Sequence, residues 1–276
     1  MKNAIVFLVV LTAFTVFACS YSSSEDELEA PDMGTASELA DNSGTPPADE
    51  AAAKALYVDS LNAFGSTMSA EGTGGKGIAG KGTTTKSMTI DWTASAGGGT
   101  VNVTGSMDSA LTSPDETFAP VVGQTYNDLY KAVVSAIVNG SFLGITVSSE
   151  THSYTISGKA TEDLDLNANL DMTVVAKETF EYNLDLSYSL IFGFAFSVLR
   201  DDGVGAKFIV SYAGSIEKND IEDVTDSDAL ARMMAELQAK KATLRVYDAD
   251  SDELLQTVQI GLDEIGGSQL EGALGA

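Results

Sequence analysis

From Thr161 to Val198 the chain alternates. Leu164, Leu166, Ala168, Leu170, Met172 and Val174 take the even positions, while Asp163, Asp165, Asn167, Asn169 and Asp171 take the odd ones. After Lys177-Glu178 the even positions resume with Phe180, Tyr182, Leu184, Leu186, Tyr188, Leu190, Phe192, Phe194 and Phe196. Successive side chains of a strand point to opposite faces, so the pattern predicts a long antiparallel hairpin turning at Lys177-Glu178, with one wet face and one apolar face. Ala206 to Ile216 keeps the parity through Phe208, Val210 and Tyr212, and predicts a further strand. Upstream, Met88, Ile90, Trp92 and Ala94 alternate with polar residues, three glycines from Gly97 to Gly99 turn the chain, and Val101, Val103 and Met107 continue it. That is a hairpin signal. Tyr154 and Ile156 begin another strand. "TLRVYD", the turn "ADSDE" and "LLQTVQI" predict a last hairpin.

Three stretches follow a helical period. Ala53, Tyr57, Leu61, Phe64 and Met68 predict a helix over 49–68, with Asp49 as its N-cap after Pro46-Pro47. Tyr126, Leu129, Tyr130, Val133, Val134, Ile137 and Val138 also fit one helical face and predict a helix ending at Asn139-Gly140, although their β-branched content favours a strand. The two prolines between Ala110 and Gln124 mark that stretch as a loop. Leu230, Met233, Met234 and Leu237 form the stripe of an amphipathic helix over 227–241, with Lys240 and Lys241 at the end that suits a positive charge. The fold class is therefore mainly β, of α+β type: a large curved antiparallel sheet or partly closed barrel, packed on two to three helices.

The N-terminal pattern is different. Lys2 precedes an apolar run from Ala4 to Phe17, shorter than the ~20 residues of a spanning helix and of the length of a signal-peptide core. It ends in Val16-Phe17-Ala18-Cys19, which resembles the lipobox of bacterial lipoproteins, with Phe17 bulkier than the residue that family carries there. The resemblance implies removal of 1–18 and a lipid on the Cys19 thiol, a diacylglycerol bearing acyl chains such as palmitate. Ser20 after the cysteine implies an outer-membrane or cell-surface destination, with a periplasmic face as the other choice. Ordinary secretion is the rival reading, with Ala18-Cys19-Ser20 as a small-x-small cleavage site and Cys19 discarded. Residues 19–48 then read as a disordered acidic tether with almost no large apolar residue. Residues 49–265 form a single β-rich domain, and 266–276 a flexible tail.

Charge narrows the partners. Against 15 Lys and Arg stand 40 Asp and Glu, a formal net charge of -25. Such a field repels nucleic acid and anionic headgroups. Divalent cations are the class it leaves open. Asp248, Asp250 and Asp252 have the spacing of a calcium loop's first half, but Glu253 replaces its glycine and Gln259 its last glutamate, so an acidic hairpin turn is the better reading. Cys19 is the only cysteine and His152 the only histidine, which removes His/Cys metal sites and leaves no supported triad. Gly72-x-Gly74-x-x-Gly77 and Gly75-x4-Gly80-Lys81 copy nucleotide motifs by letter, yet they follow a helix and precede a strand, and Gly82 stands where a phosphate loop needs Ser or Thr. No catalytic set emerges and no cofactor beyond the covalent lipid. The expectation is a membrane-anchored exported lipoprotein with a non-enzymatic structural or surface-interaction role and protein partners. The alternative is a carrier of lipid or another apolar ligand, lined by Phe192, Phe194 and Phe196.

Overall fold

The computed structural model describes residues 28–71, 84–114, 117–221 and 241–261. Cys19 and the signal segment, the nucleotide-like glycines, most of the helix expected over 227–241 and the tail lie outside them.

Eight strands build one antiparallel sheet. They are β1 (Thr84–Ala96), β2 (Gly99–Thr112), β3 (Thr125–Ser148), β4 (Ser153–Ala176), β5 (Thr179–Arg200), β6 (Gly205–Ile221), β7 (Lys241–Tyr247) and β8 (Leu254–Gly261). Each strand pairs with its predecessor and its successor in the chain. The sheet is curved and open, with β1 and β8 at its edges. The hairpins expected at Gly97–Gly99, at Lys177-Glu178 and at 249–253 all form. Glu178 closes its turn in the left-handed region, at φ 63°.

The second helical period is overturned. Residues 126–138 lie inside β3, paired with β4 from Thr125 and on both sides from Lys131 onward. Its valines and isoleucine face opposite ways: Val138 is buried on the inner face, whereas Ile137 is 48% exposed on the outer one. An apolar run on both faces of a strand imitates a 3.6-residue repeat, and χ1-restricted Val and Ile favour the extended form. Asn139-Gly140, expected as a helix stop, is mid-strand. β2 likewise takes the first residues of the expected 110–124 loop, running to Thr112.

The helix expected over 49–68 is α1 (Glu50–Glu71). Asp49 Oδ1 accepts from the backbone N–H of Ala52 at 2.8 Å, the N-cap bond anticipated from sequence. α1 buries Ala53, Leu56, Tyr57, Ala63 and Phe64 on the concave face, into the main core with the even-numbered residues of β4, β5 and β6. It crosses the strands rather than following them. Tyr57 meets Phe196 of β5 and Phe208 of β6 at 5.8 and 5.5 Å, and Phe64 meets Phe142 of β3 at 5.2 Å between ring centroids. Phe208, Phe196, Gly158 and Phe142 form one lateral row of the register. Seven residues of helix rise about 10 Å, and two strand spacings are about 9.6 Å, so the fit is metric.

Part of the segment read as a disordered tether packs on the sheet. Residues 33–45 lie along the convex face. Met33 and Leu39 pack on Ala195, Ile209 and Tyr247, around a single 3-10 turn at Ala36–Glu38. Thr45 bridges Val204, donating to Gly203 O at 2.8 Å and accepting from Gly205 N at 3.0 Å. Asn42 Nδ2 donates to Ser197 Oγ at 3.0 Å. Beneath lies Lys207, wholly buried, whose Nζ donates to Asp252 Oδ1 at 2.7 Å and to Asp41 Oδ1 at 3.2 Å. Gly193 lets this strap pass close: a Cβ there would collide with the Met33 side chain and come within 2.9 Å of Pro31 Cγ. The composition argument fails here because a few contacts to a preformed sheet replace a core of the segment's own.

Candidate functional site

The lateral rows of the concave face order its chemistry. Beside the row under α1 comes Val210–Phe194–Ala160–Gly140–Val103–Trp92, and next Tyr212–Phe192–Glu162–Val138–Gly105–Ile90. In β4 the residues of this face are apolar or glycine except one. Glu162 puts a carboxyl among them and is 5% exposed. Its Oε2 has no hydrogen-bond partner among the described residues. Burial pushes its pKa up to about 8, so the carboxyl is protonated at neutral pH.

Aromatic groups surround it. Phe192, directly opposite Glu162 on β5, stacks on Tyr212 at 5.2 Å and 23° and meets Phe194 edge-on at 5.9 Å. Burial first, then the neighbouring Glu162 and Tyr212, raise the pKa of the Tyr188 hydroxyl. Burial likewise raises that of Tyr212. The three polar groups thus form an island in a low-dielectric face. A second buried polar atom, Tyr57 Oη on α1, also lacks a partner among the described residues. A buried group in this condition costs about 1–3 kcal/mol.

Ala160 and Gly140 sit side by side, half-buried, with Phe194 and Trp92 towards the two ends of their row. Among the described residues, a Cβ added at Gly140 would meet only Ala160 Cβ, at 3.9 Å. Glu162 therefore stands one row along the sheet from Phe194, Ala160 and Gly140.

Of the three phenylalanines expected as a lining, Phe192 and Phe196 are wholly buried and Phe194 partly so. Phe196 packs on Tyr57 and on Phe208, at 5.4 Å, as core. Phe194 packs against the same core.

The acidic turn is spent on its own geometry. Asp248 Oδ1 accepts from the backbone N–H of Asp250 and Ser251 at 2.9 and 2.8 Å and from Ser251 Oγ at 3.0 Å. Those bonds, that of the Ser251 backbone first, lower its pKa. Asp252 holds Lys207. Among the described residues no three His, Cys, Asp or Glu side chains gather as a metal site. His152 Nδ1 lies 2.9 Å from Asp201 Oδ1, and Asp201 Oδ2 accepts from the Ser153 backbone at 3.0 Å, closing the turn between β3 and β4 against the β5–β6 turn.

Glu162 was visible in the sequence as the one acid on the even parity of β4. The alternation noted from Leu164 onward begins just past it. No protein family, curated protein or solved structure matches this chain.

Proposed function

We propose that this protein is an exported bacterial lipoprotein whose β domain serves a non-enzymatic structural or surface-interaction role at the membrane that holds Cys19. The observation that carries the reading is the strap. The chain downstream of the lipobox-like segment is fastened to the convex face from Met33 to Thr45, by apolar contacts, backbone bonds and the buried Lys207. The stretch from Cys19 to Pro31 reaches at most about 40 Å, so an acylated Cys19 keeps the sheet close to the bilayer. The closed packing of Phe192 and Phe196 agrees with a structural domain.

Labelling a bacterial host with an alkyne analogue of palmitate tests this. The wild-type chain is expected to take label and sediment with membranes, and Cys19→Ser to do neither. An unlabelled, freely soluble wild-type chain would overturn it. A second reading, carriage of an apolar ligand in the concavity, is favoured by one observation: the buried Glu162 carboxyl, whose Oε2 has no partner among the described residues.

A further inference from the structure

We infer that the seat of the strap is an interaction surface for a second copy of this chain, whose own strap takes the same place, so that two copies exchange residues 33–45. The inference goes beyond the anchored-domain reading and does not rest on a lipid at Cys19.

The seated strap itself shows what the surface recognises: an extended acidic segment with spaced apolar side chains. Among the described residues, Met33 and Leu39 form a cluster with Ala195, Ile209 and Tyr247 that stands apart from the main core. Glu38 Oε2 lies 3.6 Å from Lys159 Nζ, and Asp41 Oδ1 lies 3.2 Å from Lys207 Nζ, so acids of the strap sit on lysines of the sheet. In a chain of net charge -25, lysines gathered on one face are where a second acidic chain can approach. The strap of another copy carries the matching residues at the matching spacing.

The local bonds let the strap leave. Among the described residues, its backbone bonds to the sheet are those of Thr45 with Gly203 and Gly205. Lys207 keeps Asp252 at 2.7 Å when Asp41 departs, so release strands no buried charge. The eight strands pair with one another and not through the strap. Residues 46–48 join it to α1, and Pro46-Pro47 bias that hinge towards extended backbone, the form that projects the strap outward. Exchange between two copies conserves every one of these contacts. It therefore sets in where a neighbour's seat is as concentrated as the chain's own, at about 1 mM for a short linker.

The test is zero-length cross-linking of the purified full chain. Unlabelled and heavy-nitrogen chains are mixed equally, equilibrated at about 1 mM and at about 1 μM, and treated with a carbodiimide, which condenses a carboxylate with a lysine amine and itself takes up the water. Of the peptides that join Glu38 to Lys159, about a quarter should pair one light and one heavy half at the higher concentration, and almost none at the lower. Asp128 and Lys131, 3.9 Å apart on β3, should cross-link within one isotope at both.

A charge exchange gives a second measurement. Glu38→Lys and Lys159→Glu, each alone, set like charges together in the chain's own seat and in an identical twin's. Mixed, the two variants offer each other opposite charges at both seats. Sedimentation of the mixture should show pairing at a concentration about ten-fold below that of the wild type.

Three results would overturn the inference. Glu38–Lys159 peptides confined to one isotope at the higher concentration would place every strap on its own sheet. An equal share of mixed Asp128–Lys131 peptides would mean random collision. Charge variants that pair no better together than apart would show that the seat does not select the strap.

Discussion

Lys207 donates to Asp41 at 3.2 Å across 166 residues of sequence, from a side chain with no solvent exposure to one that is 90% exposed. The two ends of this bond have unequal weight. Burial works to lower the Lys207 pKa, but Asp252 and then Asp41 outweigh it and raise it. Lys207→Ala should cost about 2–4 kcal/mol, because it leaves Asp252 without its cation and opens the floor of the strap. Asp41→Asn should cost under about 1 kcal/mol, the value of an exposed partner. Urea unfolding of both variants checks the asymmetry.

A side chain at Gly193 should lift the strap without melting the sheet. A Cβ at 193 already meets the flexible Met33 side chain and Pro31 Cγ, so Gly193→Ala should shift the strap slightly, and the two further methyl groups of Gly193→Val should displace it. The expected result for Gly193→Val is a loss of about 1–3 kcal/mol and rapid proteolytic cleavage between Pro31 and Thr45. Far-UV circular dichroism should stay that of the wild type. Slow cleavage would mean that the strap tolerates displacement from Gly193.

Glu178 gives a gain. Its φ of 63° holds a branched-at-nothing but Cβ-bearing residue where glycine is at ease. Glu178→Gly should stabilise the β4–β5 hairpin by about 0.5–1 kcal/mol, the relief of left-handed strain less the added freedom of the unfolded chain. The thermal midpoint measures it.

Glu162 sets a pH dependence of defined sign. Its folded pKa of about 8 lies above the model-peptide value, and the cause is burial. Below pH ~4.5 both states are protonated and the group is neutral in its effect. Between there and pH ~8 the unfolded chain releases the proton and the folded one keeps it, so stability falls by roughly 1.4 kcal/mol per pH unit. Above the folded pKa the slope vanishes. Tyr188 and Tyr212, the titratable groups beside it, ionise only at higher pH, their own pKa values being raised. Wild type minus Glu162→Gln, in urea melts from pH 5 to 9, should isolate this slope. Parallel curves would show that Glu162 ionises freely in the folded state.

The alternation of β4, β5 and β6 was legible because one face is buried and the period of two is unbroken. β3 was not, since Val133 and Ile137 put apolar groups on its outer face and blur the period. The strap was illegible for another reason. Its partners are Ala195, Lys207 and Ile209, far along the chain, and its only local trace is Met33 and Leu39 standing alone among acids and serines. Of the site, Phe194 was found among the aromatic residues of the even face. The buried setting of Glu162 was not, because it depends on the register that places Phe192 opposite it and Val138 beside it.

The strict neighbour-to-neighbour order of the sheet has a temporal consequence. A chain delivered from its N-terminus can zip each strand onto the one just made, and no strand waits for a distant mate. The early segments behave otherwise. Tyr57 needs Phe196 and Phe208, and Thr45 needs Val204, so α1 and the strap stay without their seats until β5 and β6 exist. α1 and the strap are made before their seats and settle only once β5 and β6 are in place.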